Sequence, residues 1–183
     1  MGGLVRYRGV EHQQRDFAEF YATSRDACLR AVTASVGDPQ VAEDLVAEAF
    51  ARAWTGWRKV SQHPAPRAWI VRTALNLSVS WWRGRRREVP LADHDRAAGA
   101  SALPPAPGQG LDAATLAALR RLPARQREVV ALRVFLDLDT AATASVLGIA
   151  PGTVTAHLTR ATAALRRDLS QRETASPLRK ELS

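Results

Sequence analysis

Residues 140–169 read TAATASVLGIAPGTVTAHLTRATAALRRDL, and the fold is decided there. Thr140–Leu147 and Gly152–Leu169 each have the pattern of a helix, and Gly148-Ile149-Ala150-Pro151 joins them. In the second segment Val154, Leu158, Ala161 and Leu165 recur at spacings of 4, 3 and 4, which forms one buried stripe. Two helices joined by a short glycine-containing turn, the second carrying polar residues outward, make the helix-turn-helix pattern. In that pattern the first turns of the second helix enter the major groove. Thr153, Thr155 and His157 are therefore placed to meet base edges or phosphates, and Arg160 a phosphate or a guanine. The same spacing also fits an ordinary amphipathic helix with a solvated face.

Working outward, Leu111–Leu122 forms a short helix that Pro123 breaks, and a second helix runs over Ala124–Leu136. Before them, residues 89–110 read VPLADHDRAAGASALPPAPGQG, rich in Pro, Gly and Ala and without an apolar period: a flexible linker. The N-terminal side is helical as well. Residues 41–54, VAEDLVAEAFARAW, carry Val41, Leu45, Val46, Ala49, Phe50 and Ala53 at a 3.6-residue period, and Asp38 followed by Pro39 is a helix start. Val10–Val36 carries a similar stripe, and Ala65–Arg87 is a third helix opened by Pro66. No stretch alternates as a strand does. The expected fold is all-α, in two small helical domains: residues 1–88, a linker at 89–110, a helix-turn-helix domain at 111–170, and a tail at 171–183.

The net charge is +8 and the isoelectric point near 11.0, which points to a polyanionic partner. The charge is uneven: −1 over residues 1–58, +6 over 59–88, −1 over 89–110 and +4 over 111–183. All five tryptophans lie between Trp54 and Trp82, and Arg67, Arg72, Arg83, Arg85, Arg86 and Arg87 are interleaved with them or follow them. Aromatic faces stack on exposed bases while guanidinium groups hold phosphates, so this mixture suits unpaired DNA better than duplex. Trp54 and Trp69 sit on apolar stripes and read as core; for Trp81-Trp82 one ring can be buried and the other exposed. A generic basic tail is the alternative for the arginines. Glu43, Asp44 and Glu48 lie off the apolar stripe of their helix, which is either a solvated face or a docking surface for a basic partner.

Cys28 is the only cysteine, so it forms no intramolecular disulfide, suggests no thiolate metal site, and reads as a buried thiol. The four histidines (His12, His63, His94 and His157) show no ligand spacing and no convincing carboxylate set, which argues against an enzyme such as a basic nuclease. No metal or cofactor is expected. The opening MGGLVRYRGVEHQQRD lacks the apolar core of a signal peptide, and no run approaches the ~18 apolar residues a membrane span needs. The expectation is a cytoplasmic protein with no membrane insertion.

From about Phe17 to Leu169 the chain resembles the extracytoplasmic-function sigma factors, the minimal two-domain members of the main bacterial sigma family. VAEDLVAEAFARAW looks like their helix that docks on the largest polymerase subunit. PRAWIVRTALNLSVSWWRGRRRE is similar to the helix that melts and reads the −10 element, and LPARQREVVALRVFLDLDTAATASVLGIAPGTVTAHLTRATAALR resembles the −35-reading domain. The resemblance implies core RNA polymerase and promoter DNA as partners, and it allows an anti-sigma protein as a third. It implies polymerase docking through Glu43, Asp44 and Glu48. It also implies −10 contacts through Asn76 with the Trp/Arg set and, near the Thr55–Ala65 loop, a pocket for a flipped base. The chain departs from the family pattern at Ala47, Leu75, Ser80, Ala142, Thr155 and His157, so no promoter sequence carries over. A stand-alone helix-turn-helix regulator would explain the last 70 or so residues and leave the Trp/Arg helix unexplained.

Overall fold

The computed structural model describes the backbone of residues 2–88 and 111–175, and the side chains of residues 11–78 and 111–171. Among these residues every regular element is helical: α1 (Gly2–Val36), α2 (Pro39–Thr55), α3 (Trp57–Val60), α4 (Pro66–Glu88), α5 (Ala113–Arg121), α6 (Ala124–Val130), a π-helical stretch (Ala131–Phe135), α7 (Thr140–Leu147) and α8 (Pro151–Ala175).

Local chemistry sets the boundaries. Gly37, at φ +85°, ends α1 in the left-handed region that glycine enters without strain. Asp38 then caps α2, its carboxylate accepting from the amides of Gln40 at 3.0 Å and Val41 at 3.3 Å. Asp112 caps α5 through the Thr115 amide at 2.8 Å, and the extended Leu122 before Pro123 ends it. Asp139 caps α7 through the Ala142 amide at 2.7 Å, and Gly148, at φ +64°, closes it.

Three apolar clusters follow from these helices. The largest joins Cys28 and Val32 of α1, Leu45, Val46 and Phe50 of α2, Trp57 and Val60 of α3, and Ile70 and Val71 of α4. The second gathers Leu119, Leu122, Val130 and Ala161, and the third gathers Val129, Ala144 and Val154 beneath the helix-turn-helix. Neither half keeps its core to itself. Ala131 and Leu132 complete the N-terminal cluster, and Ala34 of α1 enters the second one. Helix α1, 35 residues and about 52 Å long, is thus a shared spine.

Four sequence expectations need correction. The Thr55–Ala65 segment is not a plain loop: it contains α3, whose Trp57 and Val60 are buried. Trp54, expected in the core, keeps 38% of its surface exposed and packs against Phe17 with ring centroids 5.1 Å apart. The helix expected over 124–136 changes to π geometry at Ala131, and α8 runs past Leu169 to Ala175. Trp69 is half-buried against the N-terminal cluster, as its stripe predicted.

Candidate nucleic-acid and protein interfaces

The inward face of α2 carries Ala42, Leu45, Val46, Ala49, Phe50 and Ala53, which leaves Glu43, Asp44 and Glu48 on the exposed side. Glu48 accepts from Arg52 Nε at 2.8 Å, an exposed pair one turn apart. Among the described residues Glu43 and Asp44 make no ion pair, so the α2 surface presents carboxylates free to meet a cationic partner.

On α4, burial of Ala68, Ile70, Val71, Ala74 and Leu75 turns Arg67, Arg72 and Asn76 outward. The two arginines are not idle. Arg67 Nε donates to the Ser24 hydroxyl at 3.0 Å and its Nη2 to the Thr23 carbonyl at 3.0 Å, tying the start of α4 to α1. The Cys28 thiol lies 3.8 Å from the Arg67 carbonyl, to which it donates. Arg72 Nη1 donates to the Ser145 carbonyl of α7 at 3.2 Å. Asn76 is exposed. The side chains of Trp81, Trp82, Arg83, Arg85, Arg86 and Arg87 lie outside the described residues, although the α4 backbone runs through them.

In the helix-turn-helix, Val154 and Ala161 are fully buried, and Leu158 and Leu165 are half-buried on the same stripe. Thr153, Thr155 and Arg160 are consequently exposed on the leading part of α8. The Thr155 hydroxyl donates to the Pro151 carbonyl at 3.3 Å, leaving lone pairs outward. His157 differs from the expectation of an open reading position: it is half-buried, and its Nδ1 is enclosed without a hydrogen-bond partner.

Sequence reasoning missed Arg120 and Arg127. Arg127 donates to the Ser35 carbonyl at 2.8 Å and, within its own half, to the Leu122 carbonyl at 2.6 Å. Arg120 donates to the Gly37 carbonyl. The Gly37 and Ser35 carbonyls lie more than 80 residues away, and no local pattern announces such bonds. Among the described residues no group of three or more His, Cys, Asp or Glu side chains could hold a metal ion, and no helix is long and apolar enough to cross a membrane.

Residues 20–88 match the Sigma-70 region 2 family and residues 113–165 match Sigma-70, region 4. An RNA polymerase sigma-E factor of Streptomyces coelicolor is 36% identical over 160 residues, covering 86% of this chain and 88% of the relative. The chain belongs to the extracytoplasmic-function sigma factors. Another member, SigL of Mycobacterium tuberculosis, is 33% identical over 138 residues, 74% of this chain and 78% of that protein. The sigma factor RpoE of Bartonella quintana, solved in complex with the anti-sigma factor NepR, aligns with a TM-score of 0.71 and 25% identity over 85% of this chain and 98% of RpoE. CnrH, solved with the cytosolic domain of CnrY, shares the fold at a TM-score of 0.58 and 23% identity, over 86% of this chain and 90% of CnrH. This sigma factor is thus a non-enzymatic transcription initiation protein, of the class that binds core RNA polymerase and promoter DNA.

Proposed function

We propose that residues 1–88 and 111–170 divide the work of initiation, with residues 89–110 as the linker and 171–183 as a tail. The acidic face of α2, through Glu43, Asp44 and Glu48, docks on core RNA polymerase. Helix α4 holds the −10 element as an exposed strand through Asn76, Trp81 and Trp82, with Arg72, Arg83, Arg85, Arg86 and Arg87 on its phosphates and Arg67 positioning the helix. The leading turns of α8 read the −35 element as duplex through Thr153, Thr155 and Arg160, with His157 shaping the helix surface. What supports this reading is that Asp44, Asn76, Thr153 and Arg160 are all exposed on helices whose opposite faces are core. The setting is the cytoplasm, and an anti-sigma protein of the kind bound to RpoE masks these surfaces when the factor is held inactive.

Strand opening tests the proposal. Bases inside a duplex offer no face to tryptophan, whereas stacking on an exposed base contributes about 1–3 kcal/mol. Variants Asn76→Ala, Trp81→Ala and Trp82→Ala that keep their helical content should form holoenzyme and a closed promoter complex. They should lose permanganate reactivity of the thymines around the −10 element, and a pre-opened bubble should partly restore run-off transcription. Normal opening by all three would remove α4 from the single-strand role.

A further inference from the structure

The leading turns of α8 carry little charge. Over residues 151–160, PGTVTAHLTR, Arg160 is the only Lys, Arg, Asp or Glu. Gly152, Thr155 and Thr159 stand three and four residues apart, so they share one face of the helix, and all three are exposed. Both threonine hydroxyls are already engaged with the backbone. Thr155 donates to the Pro151 carbonyl at 3.3 Å, and Thr159 donates to the Thr155 carbonyl at 2.9 Å. A hydroxyl has a single proton, so Thr155 offers a ligand its methyl group and oxygen lone pairs, and no donor.

Gly152 adds an independent observation on the same face. Its backbone is not left-handed, and an added Cβ would meet no atom of the rest of the fold within 4 Å. The fold therefore leaves room for alanine, which favours a helix more than glycine does. A bare backbone that neither a turn nor a neighbour requires fits the close approach of something outside the chain. Arg160, next to Thr159, places a positive charge beside this face, which suits a polyanion.

Base pairs differ in what they show such a side chain in the major groove. Guanine shows only acceptors, N7 and O6, which a group without a free proton cannot bond. Thymine shows a 5-methyl group, for which a threonine methyl is an apolar partner. We infer that Thr155 selects an A·T pair in the −35 element by packing its methyl group on the thymine methyl, and that the bare backbone at Gly152 lets the helix come close enough for that contact. The inference rests on the proposed assignment of α8 to the −35 element. Lone pairs alone would not make this choice, since the amino groups of adenine and cytosine both donate to them. The methyl contact does make it, because cytosine carries only hydrogen where thymine carries the methyl.

The test uses holoenzyme on promoter duplexes that it has itself selected from a pool randomised over the −35 element. Each thymine of the selected element is replaced in turn by deoxyuridine, which lacks only the methyl group. At one position the replacement should weaken binding about fourfold, the contribution of one buried methyl. Thr155→Val, which keeps the methyl and loses the hydroxyl, should show the same loss at that position. Thr155→Ser, which keeps the hydroxyl and loses the methyl, should bind both duplexes equally. No sensitive thymine, a valine variant indifferent to it, or a serine variant as sensitive as wild type each overturns the methyl contact. Gly152→Ala should keep or raise the melting temperature of the free factor and yet weaken binding to the selected element. Wild-type affinity in that variant overturns the close approach. A pool that emerges with no −35 preference, while the holoenzyme still yields run-off transcript, overturns the assignment of α8 instead.

Discussion

Arg67 Nε donates to the hydroxyl of Ser24 at 3.0 Å, joining the first turn of α4 to the middle of α1. Ser24 is fully buried, so the bond satisfies a polar atom that has no access to water. Arg67, expected among the arginines of the −10 set, is in this structure also a tie between two helices. Replacing Arg67 with Met strands the Ser24 hydroxyl and should lower stability by about 1–3 kcal/mol in urea unfolding. The double variant with Ser24→Ala should recover part of that loss, because no orphaned hydroxyl remains. A phosphate ligand with no structural role would leave the unfolding midpoint where it was.

The carboxylates of α2 give a second expectation. Reversing Asp44 and Glu48 to Lys should abolish binding to core polymerase. Helical content and melting temperature should barely change, since both groups are exposed and the Glu48–Arg52 pair is a surface pair of the kind contributing about 0–1 kcal/mol. Holoenzyme formation at wild-type levels by the double variant would move docking to another face.

For the −35 surface, Arg160→Ala should weaken binding to a −35 duplex and make it less salt-dependent, the slope falling by about 0.9 for each phosphate no longer neutralised. Adding His157→Ala should weaken binding further through helix shape, with little extra change in slope, because His157 is half-buried rather than aimed at the backbone. Affinity measured across a salt series separates the two effects. Transcription from pre-melted templates should suffer less than transcription from duplex.

The Cys28 thiol offers a pH test. Burial pushes its pKa up from 9.0 to about 12, although the nearby Arg67 guanidinium pulls the other way. A raised value means the folded chain holds a proton that the unfolded chain releases above pH 9. This contribution to stability is fully present below that pH and is lost as pH rises towards 12. Cys28→Ala should therefore show a smaller loss of stability than wild type over that window in denaturant titrations. At neutral pH thiol reagents should modify Cys28 only as fast as the chain opens.

Much of the architecture was legible because the signals were local. Asp38 with Pro39, Pro123 and Gly148 each act within a turn of where they stand, and each marks a real boundary. The apolar stripes of α2 and α8 identified their buried faces because a helix repeats its environment every 3.6 residues. The failures were all tertiary. Trp57 looked like part of a loop, since four residues are too few to establish a period. Arg72 read only as a DNA contact, and Arg120 and Arg127 gave no signal at all, because the carbonyls they bond (Ser145, Gly37 and Ser35) lie far along the chain. The change to π geometry at Ala131 left no mark in a run that reads as an unbroken helix.

That run has a genetic corollary. Val129, Val130, Ala131 and Leu132 are consecutive, no more than 4% exposed, and shared among all three apolar clusters. Side chains advance by about a quarter of a turn per residue through α6 and the π-helical stretch that follows, so four neighbours point almost all the way round the axis. The segment is an axle with no free side. Alleles there strike every promoter at once and show first as heat-sensitive growth wherever this factor is needed, whereas alleles that retune one regulon against another fall on the outward positions of α8.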